Sequence, residues 1–176
     1  MSNERRYKVL TAVGRDRPGL VQKIASAIHE SDANLEDSRM AILGGEFALI
    51  LLLSGSAGAV SKANERVREL GTELGLRVFL EDTARAPRGT FLQYRLKVSG
   101  FDHPGIVAAV TRVLASREVN VASLESRVQH APESGTPMFL LSAELQVPSP
   151  EVLGALRTEL IAPCEDESLE FTLEEG

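Results

Sequence analysis

The sequence predicts an α+β protein built from two tandem ferredoxin-like βαββαβ domains with antiparallel sheets. The prediction rests on a long repeat, on the order of the periodic segments inside each copy, and on turn residues between them. Asp16-Arg17-Pro18-Gly19-Leu20-Val21 recurs as Asp102-His103-Pro104-Gly105-Ile106-Val107, 86 positions later. The same shift carries Asn34-Leu35 onto Asn120-Val121 and the apolar positions Ile24 and Ile28 onto Val110 and Leu114. Phe47-Ala48-Leu49 reaches Phe139-Leu140-Leu141 only after 92 positions, so the second copy carries six extra residues near Ala131–Pro137, which read as a loop.

In the first copy, Tyr7–Val13 is rich in β-branched and apolar residues and reads as a strand. Pro18-Gly19 opens a segment in which Leu20, Val21, Ile24, Ala25 and Ile28 recur at helical spacing. Ser31-Asp32-Ala33-Asn34 breaks that period. Leu35–Ile42 is extended, Gly44-Gly45 turns the chain, and Phe47–Leu53 returns it as a hairpin. The uninterrupted apolar run of Phe47–Leu53 predicts a strand buried on both faces, with the sheet covered by the other copy or by a second chain. Val60, Ala63, Val67, Leu70 and Leu74 then mark a second helix, and Leu76–Leu80 a closing strand.

The second copy repeats this order. Phe91–Val98 is a strand, Pro104–Arg117 a helix, Val119–Val128 and Met138–Val147 a hairpin, Pro150–Ile161 a helix and Leu169–Leu173 a strand. Leu141, Ala143, Leu145 and Val147 alternate with Ser142, Glu144 and Gln146, as a sheet with one wet face requires. The division follows as residues 1–84 for the first domain, 85–90 for a linker containing Pro87 and Gly89, and 91–176 for the second.

Composition narrows the function. Hydrophobic residues make up 43% of the 176, enough for two cores. The net charge of -6 opposes direct binding of nucleic acid through its phosphates, and aromatics at 5% supply no stacking surface for bases. The longest strongly apolar stretch is far short of the roughly 20 residues of a membrane-spanning helix. With no secretory pattern and a single cysteine, Cys164, a cytoplasmic location is expected. His29, His103 and His130 show no ligand spacing, so neither a metal nor a cofactor is expected. No nucleophile with a base and no paired carboxylates stand out, and the protein is expected not to be an enzyme, with no catalytic residues.

The chemistry is expected at the repeated loop. Free N–H groups at a helix start, at Gly19-Leu20 and Gly105-Ile106, favour a carboxylate, and Asp16 or Asp102 alongside suits an ammonium group. Together these describe a free α-amino acid. Arg17 and His103 fill the variable position of the same loop and are expected among its ligand-binding residues. Asn34 and Asn120 lie 15 residues beyond the loop glycine, at the far end of the helix, and reach the same ligand only from a neighbouring unit. A plainer reading stands beside this one: the aspartates equally suit helix caps, and the asparagines equally suit left-handed residues ending a helix.

The D-x-P-G-[LIV]-V loop, the asparagine 15 residues after its glycine and the βαββαβ order resemble ACT domains, in tandem across nearly the whole chain. Residues 37–47, 123–126 and 131–139 further resemble the ACT-type repressors of glycine cleavage. The resemblance implies sensing of an amino acid, glycine or a small relative, at ACT interfaces of a homodimer. It also implies repression through a protein partner and not through DNA. The alternative within the family is a stand-alone ACT regulatory subunit that modulates an enzyme of amino-acid metabolism. ACT amino-acid sites often place asparagine in the loop, where this chain has Asp16 and Asp102.

Overall fold

The computed structural model describes residues 5–84, 89–132 and 134–176. The chain divides into two compact units, Met1–Pro87 and Arg88–Gly176. Residues 85–88 of the expected linker lie outside the described residues.

The first unit runs β1 (Arg6–Arg15), α1 (Leu20–His29), β2 (Asn34–Leu43), β3 (Glu46–Gly55), α2 (Ala57–Leu74) and β4 (Arg77–Thr83). Its four strands pair antiparallel in the order β2-β3-β1-β4. The second unit runs β5 (Leu92–Phe101), α3 (Ile106–Ser116), β6 (Asn120–His130), β7 (Pro137–Val147), α4 (Pro150–Glu159), α5 (Ile161–Asp166) and β8 (Leu169–Glu175). Its order, β6-β7-β5-β8, is the same topology. The predicted α+β class with two ferredoxin-like antiparallel units is what the chain forms.

Each core lies between one sheet face and the helices. In the first, Leu10, Ala12, Phe47, Leu49, Leu51 and Leu53 meet Leu20, Ile24, Ile28, Val60, Ala63 and Val67. In the second, Leu96, Val98, Leu141, Ala143 and Leu145 meet Ile106, Val110, Leu114, Leu156 and Leu160. Full burial of one such large aliphatic side chain contributes about 1.5–3 kcal/mol, so the alternation along β3 and β7 fixes the register of each sheet.

Three expectations are corrected. Phe47–Leu53 is not buried on both faces: Phe47, Leu49, Leu51 and Leu53 point into the core, while Ala48 and Ile50 are exposed and Leu52 is half-buried. The helices cover only one side of the sheet, so an all-apolar strand leaves half its side chains outside. The predicted single helix 150–161 is α4 followed by α5. Pro163 has no N–H to give the Glu159 carbonyl, so a continuous helix breaks there and restarts. The helices α1 and α3 begin at Leu20 and Ile106, and Pro18 and Pro104 sit in the preceding turns.

The additional residues of the second copy fall mainly in its hairpin loop, 131–136, where the first copy has only Gly44 and Gly45. Glu133 lies outside the described residues.

Candidate functional site

The D-x-P-G loop joins the first strand of each unit to its first helix. Gly19 and Gly105 are the residues capping α1 and α3, at φ 91° and 105°, a left-handed conformation that costs glycine little. No side chain caps either helix, so Asp16 and Asp102 do not fill the capping role. The first intrahelical bonds run from Lys23 to the Gly19 carbonyl, 3.0 Å, and from Ala109 to the Gly105 carbonyl, 2.9 Å. The N–H groups of the first turn have no intrahelical acceptor and form a local anion-favouring end.

The loop is braced on both sides. The Asp16 N–H donates to the Gly45 carbonyl at 3.0 Å, and the Asp102 N–H to the Pro137 carbonyl at 3.1 Å, so each loop is tied to the hairpin turn of its own sheet. Arg17 donates through its guanidinium to the carbonyl of Leu74, the last residue of α2. His103, its counterpart, places Nε2 3.3 Å from the Glu167 carbonyl and 3.4 Å from the Glu167 carboxylate, just beyond α5. Both side chains therefore clamp the loop to the end of the unit's last helix. Leu20 and Ile106 are buried in their cores and offer a ligand only their backbone N–H.

A cleft of about 430 Å³ opens beside the first loop, lined by Asp16, Arg17, Gly19 and Leu20, with Val21, Gln22, Ala25, Met40 and Phe47 completing it. Met40 on β2 and Phe47 on β3 were not among the site residues expected from the sequence. Their signal is structural: the hairpin folds back over α1, a fact no local spacing records.

Asn34 and Asn120 open β2 and β6, just past the helices, and neither takes the left-handed role. That role falls to Asp32 (φ 58°) and Glu118 (φ 55°), two residues earlier in each copy. The length of α1, about 15 Å at 1.5 Å per residue, separates asparagine from loop in one unit. A β-bulge follows each asparagine, between Leu35 and Asp37 and between Val121 and Ser123.

The surroundings of the two asparagines differ. In the first unit the Glu36 carboxylate accepts from Asn34 Nδ2 at 3.2 Å, from the Ser54 hydroxyl at 2.6 Å and from Arg5 at 2.9 Å. In the second, Asn120 Nδ2 donates to Gln146 Oε1 at 2.8 Å. Among the described residues no group of three or more His, Cys, Asp or Glu gathers to hold a metal, and no helix is long and apolar enough to cross a membrane.

Two βαββαβ units, each turning through a glycine-capped D-x-P-G loop into its first helix, define a tandem regulatory-domain architecture. The chain belongs to the ACT domain family, whose models match residues 6–81 and 94–160. It is 36% identical over 126 residues to the glycine cleavage system transcriptional repressor of Escherichia coli, covering 71% of this chain and 66% of that one, just under two thirds of the relative's length. A UPF0237 protein of Methanopyrus kandleri is 40% identical over 82 residues, 44% of this chain and 91% of that protein. Among solved structures, an unknown protein from Galdieria sulphuraria superposes with a TM-score of 0.82 at 30% identity, covering 98% of this chain and 99% of that one. Another, provisionally assigned as a glycine cleavage system transcriptional repressor, superposes at 0.72 with 27% identity over 97% and 96%.

Proposed function

We propose that this protein is an amino-acid-sensing regulator of glycine cleavage that acts in the cytoplasm through a protein partner, without binding DNA directly and without catalysis. The observation that carries the reading is the repeated loop: a glycine-capped helix start with unsatisfied N–H groups and an exposed aspartate two residues before the loop proline, with a cleft beside the first of the two. An α-amino acid's carboxylate fits the N–H groups and its ammonium fits Asp16 or Asp102. Gly19, Leu20, Gly105 and Ile106 serve through backbone, whereas Arg17 and His103 hold the loop in place. Because about 15 Å separates loop and asparagine, Asn34 and Asn120 serve a ligand bound at a neighbouring unit's loop. The net charge of -6 and the likeness to a glycine cleavage repressor support regulation by protein contact.

Titration of the full chain with each of the twenty amino acids, followed by thermal unfolding, tests this. Glycine or a small relative raises the melting temperature, since a ligand at 100 times its Kd stabilises the native state by about 2.7 kcal/mol. No shift at millimolar ligand overturns the reading, and a shift retained in the Asp16→Ala, Asp102→Ala double variant places the ligand elsewhere.

A further inference from the structure

The cleft beside the first loop has an interior of one chemical kind. Leu20 and Phe47, both buried, form its floor, and Val21 and Ala25 from α1 and Met40 from β2 supply its sides. Val21 and Met40 are 45% and 49% exposed, so this apolar surface stands open to water. Of the polar side chains around it, Arg17 is engaged with the Leu74 carbonyl and Gln22 donates to the Ser26 hydroxyl at 3.0 Å. Asp16 and the first-turn N–H groups remain at the loop end. The volume, about 430 Å³, lies within the roughly 300–1,000 Å³ of small-molecule sites.

The second unit fills the equivalent positions differently. Ile106 and Phe139 repeat the buried floor. Met40 pairs with Leu49 on β3 and Ser126 pairs with Leu141 on β7, two residues beyond Phe47 and Phe139, so Ser126 stands where Met40 does. Ala25 and Thr111 each follow their loop glycine by six residues. A thioether side chain is thus replaced by a hydroxymethyl, and a methyl on the helix by a β-branched side chain whose hydroxyl donates to the Val107 carbonyl at 2.7 Å. The second loop therefore adjoins a surface with less apolar wall and less room beside the helix.

From this contrast we infer that the two loops select different amino acids. The first takes one with an aliphatic side chain of leucine's size, seated on Leu20 and Phe47 against Met40; the second takes glycine or a small polar relative such as serine. This rests on the proposed amino-acid site and names the side chain that each loop admits. A ligand held at the loop by its ammonium and carboxylate has only its side chain left to place, and at the first loop the adjoining surface is apolar. Each methylene moved there from water tightens binding about fourfold, a gain that glycine forgoes. A charged side chain gives up hydration against Phe47 and Met40, which offer it no opposite charge. At the second loop Ser126 removes the thioether contact, so a longer side chain gains less there.

Calorimetric titration of the full chain with leucine and with glycine tests this. Leucine binds more tightly than glycine in the parent chain, and Asp16→Ala abolishes leucine binding while glycine still binds. Met40 is half exposed, so Met40→Ser leaves the fold intact, which circular dichroism verifies. That variant weakens leucine about tenfold, the equivalent of roughly two methylenes of lost contact, and leaves glycine within about twofold. The pair Thr111→Ala, Ser126→Met gives the second loop leucine binding too, seen as a doubled stoichiometry. In protein carrying 13C at the methionine methyls, the Met40 signal, assigned by its loss in Met40→Ser, moves with leucine and stays in place with glycine. Equal affinity for leucine and glycine, leucine binding indifferent to Met40→Ser, a Met40 signal that leucine does not move, or an unchanged stoichiometry in the paired variant each overturns the inference, while glycine binding still upholds the loops as amino-acid sites. Binding by none of the twenty amino acids overturns the proposed function and this inference together.

Discussion

The two units share one backbone and use it with different side chains. At the loop's variable position the first has Arg17, a permanent cation reaching a helix-end carbonyl, and the second has His103, which meets a carbonyl and a carboxylate at longer range. At the asparagine, the first surrounds Glu36 with Arg5, Asn34 and Ser54, and the second needs only Gln146. What both copies retain is where backbone approaches backbone. Gly14 and Gly100 occupy equivalent places, and a Cβ on either collides with the chain entering the last strand: 2.7 Å from Leu76 Cδ2 and 3.1 Å from the Gly75 carbonyl in one, 2.5 Å from Leu169 Cδ2 and 2.9 Å from the Ser168 carbonyl in the other. Duplication thus holds the tight crossings and leaves the surface free to diverge.

The strongest test of that comparison is Gly100→Ala against Gly14→Ala. A leucine tip can swing aside, but a carbonyl cannot move without shifting its strand. Gly100→Ala is therefore expected to cost its unit about 2–3 kcal/mol and Gly14→Ala about 1–2 kcal/mol, within the range for overpacking. The chain has two tyrosines and no tryptophan, Tyr7 in the first unit and Tyr94 in the second, so urea unfolding followed by tyrosine fluorescence in Tyr7→Phe and Tyr94→Phe backgrounds reads each unit separately. Equal losses break the comparison.

Replacing the clamps comes next. Arg17→Ala leaves the Leu74 carbonyl without its charged donor and is expected to cost about 1.5 kcal/mol; His103→Ala, with longer contacts, about 0.5–1 kcal/mol. On the proposed function, either substitution, by loosening the loop, should also weaken amino-acid binding at that unit while Asp16 and Asp102 remain. A larger loss at His103 than at Arg17 reverses the ranking.

The sequence made the architecture legible because the repeat supplied two readings of every element. The loops ahead of α1 and α3 were visible from spacing alone, whereas Asn34, read as part of the turn after α1, proves to open β2. Gly14 and Gly100 lie the same 86 positions apart and carried a usable signal, but a lone glycine at a strand end does not say which backbone it touches. Within its own unit Phe47–Leu53 is covered on one face only, because hydrophobicity records which side chains avoid water, not whether a helix layer exists to cover them. Met40 and Phe47 entered the cleft through hairpin packing, and Arg17 found Leu74 across 57 positions; contacts at such separation leave no local periodicity.

The smallest expected difference concerns acid. Hydrogen bonds from Lys97 and Arg117 hold the Glu174 and Glu159 carboxyls below the usual glutamate range, and one from Ser149 does the same for Glu151. In the first unit Asp82, bonded to Lys8, is lowered in the same way. A carboxyl whose folded pKa is depressed adds stability above its unfolded pKa and loses it as pH falls through the folded value. All four are surface groups, so each contribution is small and salt reduces it further. Between roughly pH 5 and pH 3 the urea midpoint reported by Tyr94 should therefore fall more than that reported by Tyr7. Lys97→Met should narrow the gap by releasing Glu174, and high salt should narrow it again. A gap that Lys97→Met leaves untouched would mean that the acid response of the second unit arises from groups other than its sheet-face pairs.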